Sequence, residues 1–134
     1  MPWCTYTDPE LAHVGLSERD AATRGIATRT FTVPLDANDR AVCDGETEGF
    51  VRVHVKQGTD QVLGATIVAS HAGEMLSLLT AAITHRLGLG KLGGTVFPYP
   101  TQSEAVKAVA NAYTRTRLTP TVKTIFEWVL RAMR

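Results

Sequence analysis

Charge imbalance, sulfur and long apolar runs are all scarce in this chain, and each shortage removes a class of function. Its 134 residues carry 14 Lys and Arg against 13 Asp and Glu, a formal net charge of +1. No excess of basic charge is left to neutralise a nucleic acid backbone or an anionic membrane surface. No apolar run approaches the ~20 residues that cross a bilayer, and Met1-Pro2-Trp3 opens no signal-peptide pattern. A cytoplasmic protein is the expectation. Cys4 and Cys43 stand far apart, in neither a metal-binding nor a redox spacing. Whether they pair is left open by the sequence, and the simpler reading is two separate thiols in a reducing cytoplasm. His13, His54, His71 and His85 contain no i, i+4 pair, so no metal site is expected.

What remains is an ordinary globular composition, 44% hydrophobic and 20% charged. Residues 1–134 read as a single domain, long enough to bury about two-thirds of the unfolded surface. Residues 3–7 and 11–14 read as extended segments broken by a turn at Asp8-Pro9. Ser17 caps a short helix, with Glu18 and Asp20 in its first turn and Gly25 as its left-handed end. Thr28 to Pro34 alternates as a strand, with Phe31 and Val33 on one side. Leu35 to Gly49 is rich in Asp, Asn and Gly, a connection with room for a short strand around Ala41-Val42-Cys43. Phe50 to Lys56 is the clearest strand: Val51, Val53 and Val55 face one side, Arg52, His54 and Lys56 the other. After a turn at Gly58-Thr59-Asp60, Val62 to Ala69 runs almost wholly apolar, as in a strand covered on both faces. The two strands make a hairpin, hence an antiparallel sheet.

A helix from about Gly73 to Leu87 follows, with Leu76, Leu79, Ile83 and Leu87 as its apolar stripe. Gly88-Leu89-Gly90-Lys91-Leu92-Gly93 then matches a dinucleotide-binding fingerprint letter for letter. That fingerprint works between a strand and a helix N-terminus, where amides point at the pyrophosphate. Here it follows a helix and leads into a proline-containing extended segment. It reads as a glycine-rich helix end and turn. Near the C-terminus, Thr119-Pro120 opens a last helix with Val122, Ile125, Phe126, Val129, Leu130 and Met133 on one face. Arg131 and Arg134 stand in its last turn, where the dipole favours cations.

Between these helices lies the most informative stretch, Thr95 to Tyr113. Pro98 and Pro100 bracket Tyr99, fixing two φ angles and removing two donors. Thr101-Gln102-Ser103-Glu104 reads as a capping box: the Thr101 hydroxyl accepts from the Glu104 amide, and the Glu104 carboxylate reaches back to Thr101 N–H. Val106, Val109, Ala110 and Tyr113 follow at helical spacing. Ala105, Ala108 and Ala112 make a small-residue side that permits close backbone approach. On these residues alone, Glu104 is half of a helix cap and Tyr99 a packed turn residue. The chain turns sharply here, and an aromatic ring before proline stacks well in the cis form, so a cis Tyr99–Pro100 bond is expected. The architecture expected is α+β: a twisted antiparallel sheet of about four strands, with helices packed mainly on one face.

Three segments, in order, resemble a known family. Tyr99-Pro100-Thr101-x-x-Glu104 resembles the His-Pro-Thr-x-x-Glu element of the flavin-dependent pyridine nucleotide–disulfide oxidoreductases. Thr7 to Glu18 resembles the start of that family's C-terminal dimerisation domain, and Leu63 to Val68 with Ala72-Gly73-Glu74 resembles its middle. Tyrosine in place of histidine leans toward the mercuric-reductase-like branch, although the cysteine pair expected near that branch's C-terminus is not found in Val129 to Arg134. The resemblance implies a homodimer joined through Pro98, Tyr99, Pro100, Thr101, Ala105, Ala108 and Ala112. It implies that Tyr99 and Glu104 act in trans, in the partner subunit's active site, with the matching X–Pro bond cis, Tyr99 partly exposed and its hydroxyl free for the partner. A tyrosine, with an ordinary pKa of about 10, serves there as a hydrogen-bonding group rather than a general base. The parent enzyme would use FAD and NAD(P), held by flavin- and nicotinamide-binding domains that these residues do not contain. The chain itself is then expected to bind no cofactor and to catalyse nothing alone, as a domain excised or split from a larger reductase. The competing class is a self-standing homodimeric interaction module without redox chemistry.

Overall fold

In the computed structural model, which describes residues 1–117 together with Thr124 and Arg131, the alternating valines of the central hairpin set the layering. The strands are β1 (Trp3–Thr5), β2 (Glu10–Gly15), β3 (Thr28–Pro34), β4 (Phe50–Lys56) and β5 (Val62–Ala69). They form one sheet in the order β1-β2-β5-β4-β3, each neighbour antiparallel. Register places Val51 against Ile67 and Val53 against Ala65, while Ala12 and Val14 meet the same two partners from the far side. Phe31 and Val33 oppose Val53 and Val51. One face of the sheet is therefore apolar across four strands. The sheet has five strands rather than four, because the Trp3–Thr5 segment pairs along β2 as a short edge.

Among residues 1–117, five α-helices accompany it: α1 (Glu18–Thr23), α2 (Asp39–Asp44), α3 (Ala72–Thr84), α4 (Leu89–Gly93) and α5 (Glu104–Arg117). α3 packs on β2 and β5, and α5 on β3 and β4. Leu76 and Leu79 from α3 and Val106, Val109 and Tyr113 from α5 join Val51, Val53 and Ile67 in one buried cluster. Tyr113 meets Phe31 edge-on, with ring centroids 5.6 Å apart. α1 has the expected cap, a full capping box between Ser17 and Asp20, and Gly25 follows at φ 66°.

Several expectations are corrected. Ala41-Val42-Cys43 is helical, not extended. Asn38 caps α2 by accepting from Ala41 N–H, Asp39 stands in the first turn, and Gly45 ends it at φ 71°. The helix after β5 stops at Thr84, and Arg86 turns the chain at φ 53°. Leu87 is consequently exposed and Ile83 half-buried, while Ala72, Met75 and Ala82 complete the buried side. β5 is fully covered on one face only; Leu63, Thr66 and Val68 remain half-buried on the other. His54 does lie on that second face, yet it is 4% exposed. Gly64 stands opposite it, and Thr30 and Glu18 close over it. Both cysteines are free. The amphipathic helix expected after Thr119 lies outside the described residues, Thr124 and Arg131 apart.

Gly88 to Gly93 is a one-turn helix rather than a plain turn, with Gly88 as its cap. It has no room for a pyrophosphate. A Cβ built on Gly88 would come within 2.0 Å of the Asp60 carboxylate, and Leu89 N–H donates to the Asp60 carbonyl at 2.7 Å. The Asp60 side chain crowds Gly88, and the Asp60 carbonyl takes the amide that the fingerprint would offer a phosphate.

Candidate functional site at the Tyr99 corner

The segment between α4 and α5 makes the corner expected from Pro98 and Pro100. The Tyr99–Pro100 peptide is cis, as is Asp8–Pro9, which the sequence reading did not anticipate. Tyr99 is 71% exposed, with its ring outside the core. Its hydroxyl is not free, however: it donates to Asp39 Oδ2 at 2.8 Å. That bond, followed by the negative charge of Asp39 and then by burial and the nearby Glu104, holds the phenol above its ordinary pKa. Tyr99 is thus a protonated phenol at neutral pH, a hydrogen-bonding group and no base.

Glu104 performs half of the expected capping box. Its carboxylate accepts from Thr101 N–H at 3.4 Å, while the Thr101 hydroxyl donates to the Pro98 carbonyl at 3.0 Å instead of accepting from the Glu104 amide. The two bonds fasten Thr101 forward to the helix and backward to the proline. Beneath it, Asn38 Nδ2 donates to the Thr101 carbonyl at 3.1 Å. Buried Gln102 exchanges hydrogen bonds with Ser70, at 2.9 Å and 3.2 Å, and reaches Glu46 at 3.5 Å. Each such bond contributes ~1 kcal/mol net, and far more is lost if one partner is left buried and unpaired.

Asn38, Asp39, Ser70 and Gln102 are therefore parts of the site that sequence reasoning missed. The available signal was the helix start at Asn38-Asp39 with Gly45 seven positions after Asn38, hidden inside a segment whose Asp, Asn and Gly content also fits a loop. Among the residues assigned to a dimer interface, Pro98, Tyr99, Pro100 and Thr101 lie on this corner. Ala105 does not reach the surface: at 2% exposure it belongs to the domain's own core. Ala108 and Ala112 are half-buried and retain a surface side. Exposed Val96 and Val42 lie in the corner loop and on α2.

The other two segments of the resemblance hold the sheet and helices together. Glu10 Oε2 accepts from Gly73 N–H at 3.0 Å, so the first segment of the resemblance caps α3 in the second. A groove of about 440 Å³ between β1 and α3, lined by Trp3, Cys4, Tyr6, Leu76 and Thr80 among others, contains none of the corner's residues. Among the described residues, no group of three or more His, Cys, Asp or Glu is arranged to hold a metal ion.

Comparison with known proteins agrees with this arrangement. Residues 1–110 match the model of the pyridine nucleotide-disulphide oxidoreductase dimerisation domain. A mercuric reductase of Shigella flexneri is 36% identical over 115 residues, covering 86% of this chain and 20% of that protein. Dihydrolipoyl dehydrogenase 3 of Haloarcula marismortui is 37% identical over 110 residues, 82% of this chain and 23% of its own length. Among solved structures, LpdA of Mycobacterium tuberculosis superposes with a TM-score of 0.79 at 28% identity, over 84% of this chain and 25% of that one. The HOCl-induced flavoprotein disulfide reductase RclA of Escherichia coli gives 0.78 at 25% identity, over 83% and 26%. The chain spans about a fifth to a quarter of the length of these relatives. It belongs to the dimerisation-domain family of the pyridine nucleotide-disulphide oxidoreductases.

Proposed function

We propose that this chain is the C-terminal dimerisation domain of an FAD- and NAD(P)H-dependent, mercuric-reductase-like oxidoreductase, joining two subunits and presenting Tyr99 to the partner subunit's active site. The observation that carries the reading is an exposed ring with a fixed hydroxyl: Tyr99 is 71% exposed, yet its O–H is held by Asp39 on a corner braced from three sides. A side chain ordered on the surface in this way is prepared for a group that arrives from another subunit. Glu104 acts through the backbone, holding Thr101 and with it the direction of the corner.

The flavin and the nicotinamide belong to the remainder of the parent enzyme. The chain's own glycine-rich segment does not fit a dinucleotide, because Asp60 fills its mouth. Membership in a family of dimerisation domains favours this reading over a self-standing interaction module.

A chimera tests it. This chain replaces the corresponding C-terminal segment of the Streptomyces lividans mercuric reductase, which is 37% identical over 114 residues. The chimera should be a yellow dimer that oxidises the nicotinamide cofactor, and Tyr99→Phe should keep flavin and dimer while losing activity about tenfold, ~1.4 kcal/mol of transition-state stabilisation. A chimera that stays monomeric, or a Tyr99→Phe variant as active as its parent, refutes the proposal.

A further inference from the structure

Tyr99 has two carboxylates within reach of influence, and they do different things. Glu104 comes from α5 and is engaged with Thr101 N–H. Asp39 comes from α2 and holds the hydroxyl itself. Cys43, one turn further along α2, is the remaining titratable group that acts on the phenol. A phenol has one proton to donate and a lone-pair side with which to accept. With the proton committed to Asp39, the lone-pair side is what the exposed oxygen still offers.

We propose that Asp39, not Glu104, is the positioning residue for Tyr99, and that it makes the outward side of the hydroxyl a hydrogen-bond acceptor. On the reading of Tyr99 as a group for the partner subunit, its counterpart there is then a donor, a thiol S–H or a protonated amine. Anions are disfavoured, because the carboxylates of Asp39 and Glu104 repel them.

The test uses the 134-residue chain labelled with ¹³C at the tyrosine ring carbon bearing the hydroxyl. Tyr99 is assigned as the resonance missing from Tyr99→Phe. On acidification, the wild-type Tyr99 resonance should shift through a transition that reports the group holding its hydroxyl. Glu104→Gln should keep that transition and Asp39→Asn should abolish it. On alkalinisation, Asp39→Asn should lower the phenol midpoint more than Glu104→Gln does. A transition that survives Asp39→Asn and disappears in Glu104→Gln overturns the proposal, as does its absence from the wild-type chain, which needs no variant to fold. The outcome is independent of the chimera: a failure there with success here would leave Asp39 in its place and remove only the partner-site role.

Discussion

The Tyr99 hydroxyl and the Asp39 carboxylate, 60 positions apart in sequence, meet at 2.8 Å. The adjacent Asn38 binds the Thr101 carbonyl at 3.1 Å. The start of one six-residue helix therefore holds two positions of the corner, one at the surface and one beneath it.

Asn38 does two jobs, capping α2 through Ala41 N–H and clamping Thr101. Asn38→Ser should retain the cap but be too short for the clamp, costing about 1 kcal/mol. Asn38→Ala loses both, about 2 kcal/mol or more. Urea denaturation orders the variants; an Asn38→Ser variant as stable as the parent would show that the Thr101 contact adds nothing.

Self-association should depend on Ala108 and not on Ala105. At micromolar concentration the chain should sediment as a dimer, and a single 14.5 kDa species would exclude association of the isolated chain. Ala108→Arg, on the half-buried side of α5, should give a folded monomer. Ala105→Arg should instead unfold the domain, since an arginine at a core position has no space and no partner. Circular dichroism beside sedimentation separates the two effects.

Stability should fall in mild acid through His54. Burial holds the imidazole below its ordinary pKa, Glu18 opposes this, and Arg52 and His13 add to it. A depressed folded value means that the contribution is present above the unfolded histidine pKa of about 6.5 and is lost as the pH falls through the folded value. Unfolding midpoints compared at about pH 7.5 and pH 5 should therefore drop, and His54→Gln, which keeps a polar group near Thr30, should flatten the drop. An unchanged slope in that variant would assign the acid sensitivity elsewhere.

Gly64 should be intolerant of any side chain. An added Cβ would stand 2.0 Å from the Leu16 carbonyl oxygen and 2.7 Å from its nitrogen, both backbone atoms that a rotamer change cannot move. Gly64→Ala should cost about 3 kcal/mol or more, in the upper tail of single substitutions. Gly25→Ala, at φ 66° but with open space around it, should cost only about 1–2 kcal/mol. Thermal melts compare them, and similar losses would mean that the β2–β5 approach relaxes.

Much of this domain was legible because its signals are local. The β4–β5 hairpin follows from alternation over seven residues and an apolar run of eight, with a turn between. The buried stripe of α5 and the Glu104 contact with Thr101 involve residues three or four apart. α2 was missed because a helix of six residues shares its Asn, Asp and Gly with the loops around it. Its capping signal was present but ambiguous.

The sequence alone determined most of the elements and the corner, since periodicity, capping and proline geometry depend on neighbours within about one helical turn. Tertiary structure decided the rest. It placed β1 at the sheet edge, buried His54 under Thr30 and Glu18, drew Ala105 into the core, and turned Tyr99 toward Asp39. Those outcomes rest on which distant segments pack together, and a contact that closes 60 residues of chain leaves no periodic trace in either of the segments that make it.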